Sequence, residues 1–136
     1  MSESSTRRNV ASGTPWEPVV GYSRAVRVGS HVYVSGTTAT DDAGSIVGVG
    51  DAGAQTRQAL RNLIVALERT GATARDVVRT RIFVTDITDW QAIGEAHGEI
   101  FGGVRPATSM VEVRRLIHPD MLVEIEADAY VDGAGA

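Results

Sequence analysis

The stretch RPATSMVEVRRLIHPDMLVEIEADAYV, Arg105 to Val131, decides how this chain folds. Its second half alternates sharply: Leu122, Glu124, Glu126 and Asp128 oppose Val123, Ile125, Ala127 and Ala129, the period of two that a half-buried strand requires. In the first half Ala107, Ser109, Val111 and Val113 oppose Thr108, Met110, Glu112 and Arg114. His118-Pro119-Asp120 between them supplies turn chemistry and removes a ladder donor, so the sequence predicts an antiparallel pair with one apolar and one acidic face. Met110 and Leu122 fall on the acidic side, which predicts that a partner covers part of that face.

Upstream, Arg24 to Val28 and His31 to Ser35 are strand-like runs joined by Gly29-Ser30, a two-residue hairpin signal. Asp41-Asp42-Ala43-Gly44 and the glycines at 48 and 50 mark an irregular loop and fit no phosphate-binding glycine pattern. Asp51 is an N-cap, and Leu60, Leu63, Ile64 and Leu67 form a helical stripe, so a helix is predicted over 52–69, ending before Gly71. Val77 to Thr85 reads as a strand in which Val78, Thr80, Ile82 and Val84 share a side. Thr88 and Gln91 have capping-box spacing before a second helix carrying Trp90, Ile93, His97 and Ile100.

The expected fold class is therefore α+β, order ββαβαββ, a single sheet with both helices on one face. Residues 1–18, rich in Ser, Thr, Gly and Pro, read as a flexible N-terminal arm pinned by Trp16, residues 19–131 as one domain, and 132–136 as a C-terminal tail.

With 136 residues there is enough chain for one real core. The absence of cysteine rules out thiol catalysis, thiolate metal ligation and disulfides. A net charge of −4 gives no general attraction to nucleic acid, and no run of apolar residues is long enough to span a bilayer. An unprocessed, cytoplasmic protein is the expectation. His31 and His118 have no ligand-spaced partners, and His97 on an apolar helical stripe reads as a core or boundary residue, so neither a metal nor a cofactor is expected.

Gly21-Tyr22-Ser23-Arg24-Ala25-Val26, Val34-Ser35-Gly36, Asp76 to Thr80 with Asp86, Arg105-Pro106-Ala107-Thr108-Ser109 with Val111-Glu112-Val113, and Val123 to Ala127 resemble the RidA (YjgF, reactive intermediate deaminase) family over about residues 19–131. The resemblance implies a chorismate-mutase-like fold assembled as a homotrimer, with a small-molecule cleft at each subunit boundary. It also implies cofactor-independent hydrolysis of enamines and imines such as 2-aminoacrylate to a carbonyl compound and ammonia. By the same resemblance Tyr22 lines the cleft, Gly36 supplies a backbone position beside it, and Glu124 orients the attacking water.

Two residues after the proline, active deaminases carry an arginine for the substrate carboxylate, and this chain has Thr108, which lacks the charge. Weak or no 2-aminoacrylate deaminase activity is therefore expected. Arg24, where the family commonly has glutamine, is the first candidate for a replacement anion binder, ahead of Arg81, Arg105 and Arg114. The alternative readings are a non-catalytic ligand-binding or sensing trimer and, against the acidic charge, an endoribonuclease.

Overall fold

The computed structural model describes residues 6–133. Six strands form one sheet in the order β1-β2-β3-β6-β4-β5: β1 Arg7–Val10, β2 Ala25–Val28, β3 His31–Thr37, β4 Val77–Val84, β5 Ala107–Glu112 and β6 Val123–Tyr130. Two long helices, α2 Ala52–Arg69 and α3 Trp90–Phe101, cover one face, and α1, Trp16–Val20, is a third, short helix.

The local signals hold where they are strongest. The Asp51 side chain accepts from Ala54 N–H at the start of α2, and Gly71 just beyond its end takes φ 88°, a left-handed conformation that favours glycine. Leu60, Leu63 and Leu67 are fully buried against Val32, Val84, Val123, Ile125 and, from α3, Ile93 and Phe101. In β6 the apolar set is buried while Glu124, Glu126 and Asp128 line the helix-free face.

Several expectations are corrected. Part of the supposed arm is ordered: β1 pairs antiparallel with β2, from Arg7 opposite Val28 to Val10 opposite Ala25. Arg8 Nη2 and Arg27 Nη1 both donate to the Thr70 carbonyl at the end of α2. These long-range ties are invisible to a local reading; residues 1–5 of the predicted arm and 134–136 of the predicted tail lie outside the described residues.

β5 and β6 do not form a hairpin. β6 inserts between β3 and β4, antiparallel to both, and β5 lies parallel to β4 at the sheet edge. Because β5 follows β4 through a helix, a parallel crossover is available to it and adjacency to β6 is not needed. This pairing places Thr108 and Met110 opposite Thr80 and Ile82, on the helix side. Met110 and Leu122 accordingly pack against the core, and it is Ser109 and Val111 that share the acidic face.

A register shift between Val77 and Arg79 places Val77 in the core and leaves Val78 52% exposed, so Val78 does not share a side with Thr80. The Thr88–Gln91 capping box does not form. The Thr88 hydroxyl and N–H both donate to Asp86, whose carboxyl they hold below its usual range, and Gln91 donates to Glu95.

Gln55 is the largest buried polar side chain and ties the loop before β6 to α2. Its Nε2 donates to the carbonyls of Gly48 and Asp120, at 3.2 and 2.8 Å, and its Oε1 accepts from Leu122 N–H at 2.9 Å. Gln55→Leu keeps the volume and strands these groups. At roughly 1–3 kcal/mol for a buried unpartnered group, the variant is expected to lose about 2–4 kcal/mol, read as a Tm drop of roughly 5–15 °C in thermal melts. An unchanged Tm would remove Gln55 from this role.

Candidate functional site

At the centre of the site is an irregularity in β3. Val34 pairs with Ala127 but Thr37 pairs with Ile125, so one extra residue is accommodated at Ser35-Gly36 and the strand bends away from β6. The Glu124 side chain fills the space this creates. A Cβ built on Gly36 would lie 1.9 Å from Glu124 Oε2 and 2.9 Å from its Cδ.

Arg24, just before β2, braces the bulge from the other side. Its Nη1 donates to the Gly36 carbonyl at 2.7 Å, to Thr37 Oγ1 at 2.9 Å and, longer, to the Ser35 carbonyl at 3.4 Å. Its Nη2 reaches the Tyr22 hydroxyl at 3.4 Å, and the guanidinium lies 5.6 Å from the Tyr22 ring centroid. One arm of the fork is thus committed to the backbone, and the other faces the cleft with a single long contact.

Burial raises the Glu124 carboxyl above its ordinary range; Arg24 pulls in the opposite direction, and the neighbouring Glu126 adds to the rise. Among the described residues Glu124 has no hydrogen-bond partner, whereas Glu126 and Asp128 share Arg81 Nη1 at 3.3 and 3.4 Å. The three acids therefore differ: two are paired with one cation, and the third is free to exchange a proton.

These groups open onto a cleft of about 1060 Å³. Its polar end holds Tyr22, Arg24, Gly36 and Glu124, and its wall includes the apolar side chains of Trp16, Val20, Ile117 and Met121. Four of the five sequence-predicted site residues are thus brought together. Thr108 is not among them: on β5 its hydroxyl bonds Thr80 at 2.8 Å and the Pro106 carbonyl at 3.2 Å, on the helix side of the sheet.

The other candidates lie elsewhere. Thr80 also bonds His97 Nε2 at 2.9 Å, and burial lowers the His97 pKa, which suits a neutral boundary histidine. Arg105 donates to the Gly102 carbonyl, and Arg114 is exposed after β5. His31 stacks beside Tyr33 and meets Tyr130 edge-on, His118 Nδ1 accepts from Asp120 N–H, and no group of three metal-ligating side chains occurs among the described residues.

Sequence reasoning missed Glu17 and Thr14. Glu17 lies in a Pro-flanked, aperiodic segment yet is only 7% exposed, its carboxylate closing the turn over residues 12–14. No local pattern distinguishes it from a solvated glutamate.

Comparison with known proteins agrees with this architecture. A family model described as endoribonuclease L-PSP matches residues 13–131. The chain is 39% identical over 123 residues to an uncharacterized protein of Streptomyces coelicolor, covering 90% of this chain and 91% of that protein. It is 40% identical over 119 residues to 3-aminoacrylate deaminase RutC of Acinetobacter baylyi, covering 88% and 93%. A crystal structure of a YjgF/YER057c/UK114 family member from Mycobacterium tuberculosis superposes with a TM-score of 0.83 at 57% identity, over 92% of this chain and 99% of that one. The single sheet, the helices on one face and the matched span carry one conclusion: this chain belongs to the RidA (YjgF) family and has its α+β, chorismate-mutase-like fold.

Proposed function

We propose that this protein hydrolyses small imines or enamines to a carbonyl compound and ammonia, without a cofactor, in clefts completed by neighbouring subunits of a homotrimer. The observation that carries this reading is Glu124: a carboxyl group raised by burial, without a hydrogen-bond partner among the described residues, held against Gly36 in an open cleft. In its protonated form Glu124 gives a proton to the enamine carbon, leaving an iminium. As carboxylate it takes a proton from the water that adds to the iminium carbon and passes it to the carbinolamine nitrogen; the C–N bond then breaks, ammonia leaves, and the hydroxyl proton returns to Glu124 as the carbonyl forms.

The A. baylyi relative is named for a deaminase of 3-aminoacrylate, an enamine bearing a carboxylate, and substrates of that kind suit the free arm of Arg24. Turnover of 2-aminoacrylate is expected to be weak, because position 108 carries a hydroxyl already bonded to Thr80 and Pro106. The test is a screen of imines generated in place from amino acids by an oxidase, with keto acid and ammonia release as readouts. Acceleration above the spontaneous rate for at least one imine is expected. Tight binding of several candidates with no acceleration of any would replace this reading with that of a non-catalytic binder. Ribonuclease action is the weaker reading, since the acids Asp41, Asp42, Glu124 and Glu126 outnumber Arg24 and Arg69 in the cleft, which offers no basic track for a phosphate backbone.

The trimer is the second part of the proposal. Tyr33 on β3, Tyr130 on β6 and Val111 on the edge strand β5 are about half exposed on the helix-free face, the tyrosines and the valine on opposite sides of β4 and its Arg81, and closed association of copies would cover them. Sedimentation equilibrium at micromolar concentration is expected to give three times the 14.4 kDa chain mass. A monomer would sink this half of the proposal.

A further inference from the structure

Glu17 holds Tyr22 twice. Its backbone carbonyl accepts from the Tyr22 N–H at 3.1 Å and from Gly21 N–H at 2.8 Å, where Gly21 ends α1 with φ 86°. Its side chain reaches the other end of the same tyrosine through Thr14. Thr14 Oγ1 donates to Glu17 Oε2 at 2.9 Å and lies 3.5 Å from the Tyr22 hydroxyl.

We propose that Glu17 is a positioning residue of the cleft, fixing through Thr14 the direction of the Tyr22 hydroxyl so that the Tyr22 oxygen meets the substrate as a hydrogen-bond acceptor. The inference rests on the reading of the cleft as a site of imine or enamine hydrolysis. The direction follows from counting protons. Burial alone would push the Glu17 carboxyl up, but the hydrogen bonds from Ser12 and Thr14 prevail and hold it below its usual value, so at neutral pH it only accepts.

The single proton of the Thr14 hydroxyl is then spent on Glu17, and Thr14 Oγ1 can only accept from Tyr22. The Tyr22 proton is then directed at Thr14, in the wall of the cleft, and the Tyr22 oxygen accepts from Arg24 Nη2 at 3.4 Å. What remains for a ligand is a lone pair, which selects an N–H donor. Imines and enamines provide one, and their carbonyl products do not. The same chain continues from Arg24 to the carbonyl of Gly36, the residue against which Glu124 sits, so the buried acid on α1 and the acid on β6 bracket one polar track.

The test combines Glu17→Gln, Thr14→Val and Tyr22→Phe, singly and in pairs, in the full chain. Protein labelled with 3-fluorotyrosine gives three fluorine resonances, for Tyr22, Tyr33 and Tyr130, with the Tyr22 signal identified by its loss in Tyr22→Phe. Glu17→Gln and Thr14→Val are each expected to shift the Tyr22 resonance and leave the other two in place. With the imine made from leucine by an amino-acid oxidase as probe, each is expected to lower kcat/KM about tenfold, the scale of one lost hydrogen bond. In the Tyr22→Phe background the further loss should be under twofold, because the chain has already been cut.

An unmoved Tyr22 resonance, or an equal loss of kcat/KM with and without the Tyr22 hydroxyl, would overturn the proposal and leave Glu17 a turn-closing residue. Thr14→Val breaks the link at the cost of one donor to the carboxylate, which keeps the Ser12 hydroxyl and the Ser12 and Thr14 N–H groups, so poor folding of Glu17→Gln does not block the decision. A wild-type protein that does not accelerate loss of the imine would refute the catalytic reading, and the fluorine shifts would still decide the positioning role.

Discussion

Glu124→Gln is expected to lower the turnover of imine substrates by about 10²–10⁴-fold, the usual contribution of a positioned general acid–base, while leaving the protein at least as stable as the wild type at pH 7. The two halves have one cause. Burial raises the Glu124 carboxyl in the folded protein despite the attraction of Arg24, so the folded state holds its proton more tightly than the unfolded state. As pH rises through the interval between the unfolded and folded values, the unfolded chain releases its proton first and the folded state loses stability. Glutamine has the same shape and no proton to lose.

Thermal melts of the two proteins in matched buffers from pH 4 to 8 should therefore diverge, with the wild type falling relative to the variant as pH increases. Parallel curves would mean that Glu124 titrates like a solvated acid, and the case for it as the acid–base group would go with them. A general base that costs stability is the pattern expected where a site is tuned for chemistry.

How much of this was legible without coordinates depends on whether the cause was local. Helix α2 was readable because Asp51, the leucine stripe and Gly71 are signals carried within the helix and its immediate flanks. The two faces of β6 were readable because alternation survives whatever the neighbouring strands are. The partners of β5 and β6 were not, since the choice between a hairpin and a crossover is made by contacts with β3 and β4, far away in sequence. The site follows the same division. Tyr22, Arg24, Gly36 and Glu124 could be named, but the bulge that brings them together is a register shift between β3 and β6, and no residue pattern in β3 alone announces it. Thr108 changed sides for the same reason: its face is set by the parallel pairing with β4.

Gly36→Ala is expected to abolish turnover about as thoroughly as Glu124→Gln while costing only about 0.5–1.5 kcal/mol of stability. The added methyl would lie 1.9 Å from Glu124 Oε2 and 2.9 Å from Cδ, closer than any tolerated contact, and 3.2 Å from Cγ, a tight one. All three atoms belong to the outer part of one side chain and none to the backbone, so the strand can stay in place and the glutamate must turn away. The stability cost is that of driving one side chain off its preferred rotamer. The functional cost is larger, because the carboxyl group leaves the position from which it could reach a substrate carbon or its attacking water, and general acid–base catalysis demands hydrogen-bond reach. The Arg24 bond to the Gly36 carbonyl involves no atom the added methyl meets, so the bulge is expected to stay in place. A double-mutant cycle checks the mechanism: the stability cost of Gly36→Ala should be present beside Glu124 and vanish in Glu124→Ala, where nothing is left to collide with. A cost of the same size in both backgrounds would show that alanine is rejected by the backbone of the bulge, and glycine would then be needed at 36 for the strand itself.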